Sequence, residues 1–181
     1  KSANHKYFAP KPMLSSGLYE SIGKATMRYF TRFGIVAGVT FLALGVVLNA
    51  QEESETEARA ALEEYFRAWN ESDNDAIAAI SNFPRVSVGV NGQIVVRNTV
   101  EEIVIDFDTL RAAERWDHST LDLVDVAHVS ADKVHFRVVT SRRYADGSPY
   151  RTNPGLYIVT RQDGHWGLQL QSVLPATFSF P

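Results

Sequence analysis

The sequence predicts an α+β domain, a curved antiparallel sheet wrapped around about three N-terminal helices. Three observations carry this expectation. Val134, Phe136 and Val138 alternate with His135 and Arg137, the period of two that a half-buried strand requires. Leu62, Tyr65, Phe66 and Trp69 recur at helical spacing, with Glu63, Glu64 and Arg67 on the opposite side. Asn91-Gly92, Ala145-Asp146-Gly147-Ser148 and Gln162-Asp163-Gly164-His165 punctuate the rest with hairpin turns, where glycine accepts a positive φ.

In chain order, Ser54-Glu55-Thr56-Glu57 reads as a capping box opening the first helix, which Asn70 to Asp73 ends. Asp75 to Ile80 is a short second helix with Ile77 and Ile80 buried, closed by Asn82-Phe83-Pro84. Val86, Val88 and Val90 form a strand that Ile94, Val95 and Val96 answer across Asn91-Gly92. Thr99-Val100-Glu101-Glu102 is a second capping box. It introduces a third helix with Ile103, Phe107 and Leu110 buried, running to about Glu114. Trp116-Asp117-His118-Ser119 then leads into a meander of three or four strands over Leu121 to Leu174. Within it, Pro154-Gly155 predicts a bulge, since proline removes a ladder donor and glycine tolerates irregular dihedrals. The last strand alternates Trp166, Leu168 and Leu170 with Gln169 and Gln171. A long meander of this kind needs cover on one face, and helices earlier in the chain supply it.

Composition narrows the function classes. Hydrophobic residues at 45% and aromatics at 11% provide for a real core and for a lined pocket. Residues 1–50 hold six bases (Lys1, Lys6, Lys11, Lys24, Arg28, Arg32) against Glu20, a charge of +5; the total of −3 leaves −8 for the remainder. An acidic domain without a basic stripe is a poor nucleic-acid binder. With no cysteine, disulfides, thiol catalysis and thiolate metal sites are excluded. The histidines form no i,i+4 pair and no His-Glu motif, so no metal site and no cofactor are expected.

The amino-terminal part divides in two. Residues 1–26 have no periodicity, and Pro10 and Pro12 break any helix; their role is not legible. Residues 27–50 follow the order of a secretory signal peptide: Arg28 and Arg32, an apolar run from Phe33 to Leu48, then Asn49-Ala50 before acidic Gln51-Glu52-Glu53. Cleavage after Ala50 would release residues 51–181 as a secreted or periplasmic domain. An uncleaved leader would instead be its one route to a membrane, although the run is short against the ~20 residues of a full span.

The order of elements, with Tyr65-Phe66-Arg67-Ala68-Trp69-Asn70-Glu71-Ser72-Asp73 and the closing stretch from Gly155 to Gly167, resembles the nuclear transport factor 2-like superfamily over about Glu55 to Leu174. That superfamily includes SnoaL-like cyclases, ketosteroid isomerases, scytalone dehydratases and limonene epoxide hydrolases. The resemblance implies a cone with a pocket open at one end, and a fold that hosts unrelated activities. A ketosteroid isomerase needs a carboxylate base on the first hairpin and two oxyanion donors. Tyr65 corresponds to one donor, but Val86-Ser87-Val88-Gly89-Val90 offers no base and Leu156-Tyr157-Ile158-Val159 no second acid. An Asp-Arg-Asp set for epoxide hydrolysis is not placed, and the spacing of His118, His128 and His135 does not establish the paired histidines of a dehydratase.

Within this frame His118 is the candidate acid or base, at the corner between the third helix and the sheet, with Asp117 expected to point elsewhere. Tyr65 is the candidate donor to developing negative charge. Trp69, Trp116, Tyr157 and Gln169 are the candidate ligand-binding residues of a mostly apolar pocket. The bland alternatives stay open: His118 locking a corner, Tyr65 and Trp69 packing the core, His135 and Arg137 on a solvated face. Three functions follow: an exported cone binding a small apolar or aromatic molecule; a cofactor-independent isomerase, lyase or cyclase; or a dimerising interaction module. A homodimer is expected through the outer face of the meander, where the resemblance places family contacts and apolar residues are in surplus.

Overall fold

A computed structural model describes residues 49–180; the expectations for residues 1–48 lie outside the described residues. Helix α1 occupies 49–70. It buries Ala58, Ala61, Leu62, Tyr65 and Ala68; of the stripe read from the sequence, Leu62 and Tyr65 are buried, while Phe66 and Trp69 are partly buried against the same core. The Ser54 capping box is not a helix start, because α1 already runs through it. The Ser54 hydroxyl instead donates to the Ala131 carbonyl at 3.4 Å, and the Glu57 carboxylate accepts from the Trp166 indole N–H at 2.8 Å. Both side chains tie the helix to the sheet.

Helix α2 (Asn74–Ala79) is capped by the Asp73 carboxylate, which accepts from the Ala76 N–H at 3.0 Å. Strand β1 (Ser81–Val88) follows directly, so Asn82-Phe83-Pro84 belongs to the sheet and does not merely end the helix. Strand β2 (Ile94–Arg97) returns across the Asn91-Gly92 turn. The expected third helix is split. Val100–Ile103 forms a 3-10 turn without a Thr99 side-chain cap, and α3 (Phe107–Glu114) starts afresh from Asp106, whose carboxylate accepts from the Thr109 N–H at 2.9 Å. Asn74 holds the intervening segment in place through reciprocal bonds with the Ile105 carbonyl (3.0 Å) and N–H (2.9 Å).

The meander is β3 (His118–Ser130), β4 (Lys133–Arg143), β5 (Pro149–Gln162) and β6 (His165–Val173). The sheet order is β2-β1-β6-β5-β4-β3. It is curved and mixed, since β1 runs parallel to β6 while every other pair is antiparallel. The α+β class with its curved sheet stands; the one parallel pair, β1 with β6, is a long-range contact that periodicity cannot see. Val134, Phe136 and Val138 on β4, Tyr157 and Val159 on β5, and Trp166 and Leu168 on β6 join the α1 stripe in one core.

Two details of the strands differ from expectation. Pro154 and Gly155 pair in unbroken register with Val139 and Val138, so no bulge lies there. Gly155 is needed for space: a Cβ would sit 2.8 Å from the Ser172 carbonyl oxygen and 3.2 Å from the Tyr157 ring. On β5 the register shifts instead at Tyr150, between the Arg142–Arg151 and Arg143–Pro149 pairs, and on β6 Gln169 is an extra residue between the Val159–Leu168 and Ile158–Leu170 pairs. The extra Gln169 reverses the alternation of β6, so Gln171 joins the inward set and Leu170 leaves it.

Candidate functional site

The cone interior is set by how β1 faces. Arg85-Val86-Ser87-Val88 alternates, and an apolar-inward rule turns the valines to the core. The structure has the opposite parity. Arg85 is only 3% exposed, while Val86 and Val88 pair with the exposed Val96 and Ile94. Arg85 donates to the Ser81 hydroxyl (3.1 Å), the Leu168 carbonyl (2.9 Å) and the Gln171 side-chain carbonyl (2.5 Å). Its guanidinium lies 4.9 Å from the centre of the Tyr65 ring. Its Nε is buried without a hydrogen-bond partner. Among the described residues no carboxylate forms an ion pair with it. Burial pulls its pKa down, opposed by the neighbouring Tyr65 and Tyr157 phenols; an arginine nevertheless stays charged. Burial likewise pushes Tyr157 up to about 12, so its phenol is a neutral donor throughout the physiological range.

A cavity of about 220 Å³ lies between α1 and the inner sheet, bounded by Tyr65, Phe66, Trp69, Ser87, Tyr157 and Gln171. A smaller one of about 150 Å³ adjoins it, sharing Tyr65, Trp69, Ser87 and Gln171 and adding Arg85, Arg97, Ile103 and Ile105. A wider vestibule of about 670 Å³ shares Gly89, Thr140, Arg142, Tyr157 and Val173 with the first. Asn70, closing α1, fixes one wall by reciprocal bonds to the Ser119 carbonyl (2.9 Å) and N–H (2.8 Å).

The predicted site residues separate. Tyr65, Trp69 and Tyr157 line the cavity together, with Phe66 stacked on Tyr157 at 6.4 Å. Trp116 is 2% exposed and packs in the core against Trp69 (6.3 Å) and Phe107 (5.6 Å), its indole N–H bonded to the Ser119 hydroxyl at 3.0 Å. His118 opens β3 half exposed, and its Nδ1 is 2.8 Å from the Asp117 carboxylate. Asp117 thus holds the ring, contrary to the expectation that it points away, and His118 is not on a wall of these three cavities. Gln169 turns from the interior at the bulge, bonding Thr160 (2.9 Å) and the Pro84 carbonyl (3.4 Å). Gln171 stands in its place. Ser87, Ser119, Thr140, Ser141, Arg142 and Gln171 share the lining with Tyr65, Phe66, Trp69, Val88, Tyr157 and Val173, so an apolar majority carries several polar groups. Sequence reasoning missed Arg85, Ser87, Arg97 and Gln171. One signal was available, since the resemblance directs attention to the first hairpin, where the base of an isomerase would stand. Among the described residues, no group of three or more metal-ligating side chains comes together, and no helix is long and apolar enough to cross a membrane.

A family model described as NTF2-like protein (DUF6841) matches residues 53–170. The chain belongs to this NTF2-like family. No curated protein matches it. Solved structures share the NTF2-like fold at low identity. An NTF2-like protein with a cystatin-like fold from Novosphingobium aromaticivorans is 16% identical with a TM-score of 0.59, over 77% of this chain and 91% of its own. A candidate calcium/calmodulin-dependent kinase II association domain from Exiguobacterium sibiricum is 12% identical, TM-score 0.53, over 69% and 95%. A candidate scytalone dehydratase from N. aromaticivorans is 12% identical, TM-score 0.52, over 74% and 99%. At these identities the likeness is one of fold.

Proposed function

We propose that this NTF2-like domain binds a small organic molecule inside its cone. The observation that carries the reading is the convergence of Tyr65, Trp69, Tyr157, Ser87 and Gln171 on one cavity between α1 and the sheet. Aromatic walls offer contact area, and a few fixed hydroxyl and amide groups orient a ligand. Binding takes precedence over catalysis because no carboxylate or imidazole stands on these cavity walls to move a proton. Native mass spectrometry of the purified protein tests it: a co-purifying small molecule, lost on Tyr157→Ala or Trp69→Ala, is the expected result. Export remains part of the proposal, motivated by the charged, apolar, small-residue order of residues 27–50. Amino-terminal sequencing of exported protein should then begin near Gln51.

A second copy is proposed as the domain's macromolecular partner. The meander expected to carry the contact is partly covered, since Leu123 shares a groove with Phe178 and Phe180. Ile94 and Val96 on the β1–β2 hairpin are exposed at 64% and 50% and are the surface proposed here. Structures of this fold include candidate association domains.

A further inference from the structure

Arg85 is a charged group sealed in the interior without a counter-ion among the described residues. Buried charges are ordinarily paired, because transfer out of water is unfavourable unless an opposite charge compensates. Its neutral partners, the Ser81 hydroxyl, the Leu168 carbonyl and the Gln171 amide, hold the guanidinium in position and leave its charge uncompensated. A second arginine stands beside it. Arg97 is its cross-strand partner in the β1–β2 pair, lines the same cavity, and also forms no ion pair among the described residues. Around these two cations the walls are Tyr65, Trp69, Ile103 and Ile105, with the Ser87 hydroxyl as a further donor.

We propose that the inner cavity takes a compact monocarboxylate, its carboxylate set against Arg85, Arg97 and Ser87 and its hydrocarbon part against Trp69, Ile103 and Ile105. This rests on the small-molecule reading above and names its ligand class. Arginine is the side chain best matched to a carboxylate, and a low-polarity wall strengthens the attraction. The small volume, about 150 Å³, favours one anionic group on a short apolar body over a nucleotide or a sugar phosphate.

The test uses matched acid and amide pairs on the full chain: benzoate and benzamide, phenylacetate and phenylacetamide, hexanoate and hexanamide, with inorganic phosphate as a further arm. Calorimetric titration and thermal shift should find at least one acid that binds saturably and at least tenfold more tightly than its amide. Arg97→Gln, at the cavity rim, should retain the circular dichroism of the parent and abolish that preference. Arg85→Gln should do the same if it folds, and Arg97→Gln decides if it does not. Equal binding of acid and amide overturns the carboxylate while leaving the small-molecule reading intact. Phosphate binding more tightly than every acid overturns it too. If no acid binds, the carboxylate is rejected, and native mass spectrometry then separates a neutral ligand from an empty cone, which would reject both.

Discussion

The guanidinium of Arg85 lies over the ring of Tyr65, 4.9 Å from its centre, and this pairing joins the first helix to the first strand at the base of the cavity. Tyr65 is 5% exposed and Arg85 3%, so the contact is shielded from water on both sides. A cation over an aromatic face is more strongly held when desolvated. The contact also explains why an arginine persists in the interior. The Tyr65 ring and three hydrogen bonds orient the guanidinium, and the cavity keeps its charge within reach of a ligand.

Trp116 and His118 should respond oppositely to truncation. Trp116→Ala removes a core aromatic and should lower stability by about 3–5 kcal/mol, the usual range for deleting a large buried aromatic. His118→Ala should leave both the melting temperature and ligand binding close to those of the parent, since the ring is half exposed and faces Asp117. Chemical denaturation of the two variants checks this. A His118→Ala variant that folds but no longer binds would return His118 to the site.

Gly155→Ala should destabilise by about 1–3 kcal/mol, the range for overpacking a filled interior. The new methyl would meet the Ser172 carbonyl at 2.8 Å, a backbone atom of the paired strand. A melting temperature equal to that of the parent would show that β5 and β6 separate more easily than this register implies.

Acid should unfold the domain through Glu114 and Asp122. Burial opposes ionisation of Glu114, but hydrogen bonds from Arg142 (2.6 Å) and Tyr150 (2.8 Å), with the charges of Arg142 and Arg151, outweigh it and hold the pKa below 4.5. Asp122, likewise partly buried, is held below 3.8 by Ser141, Thr120 and Arg143. A carboxylate depressed in the folded state stabilises above its unfolded pKa and loses that contribution as pH falls through its folded pKa. The urea midpoint should therefore hold its value down to about pH 5 and fall below it. Glu114→Gln should show a shallower decline. An unchanged acid limb in that variant would assign the loss elsewhere.

Light scattering at micromolar concentration should give the mass of a dimer. The outer surface is not uniformly free for this contact. The carboxy-terminal Phe178 and Phe180 form a groove with Leu123, Val139 and Pro154, whereas Ile94 and Val96 on the β1–β2 hairpin remain open. Val96→Lys should then shift the mass toward one chain without loss of helical signal. A single-chain mass for the parent at every concentration would reject self-association.

The sequence by itself determined the α+β class, the buried stripe of α1, the three hairpin turns and the contribution of Tyr65, Trp69 and Tyr157 to an interior. Each of these depends on interactions within one element, or on a turn whose backbone demands glycine, as Gly164 does at φ +83°. Tertiary structure alone decided the rest of the cavity. Periodicity reports that Arg85-Val86-Ser87-Val88 alternates but not which parity faces inward, because both parities have the same period. Whether Gln169 or Gln171 enters the cavity depends on one extra residue in β6, fixed by its pairing with β5. The parallel contact of β1 with β6 brings Arg85 to Leu168 and Gln171 across more than eighty residues of chain. Local pattern carries no information about that distance; only the closing of the sheet around α1 places the Arg85 side chain in the interior.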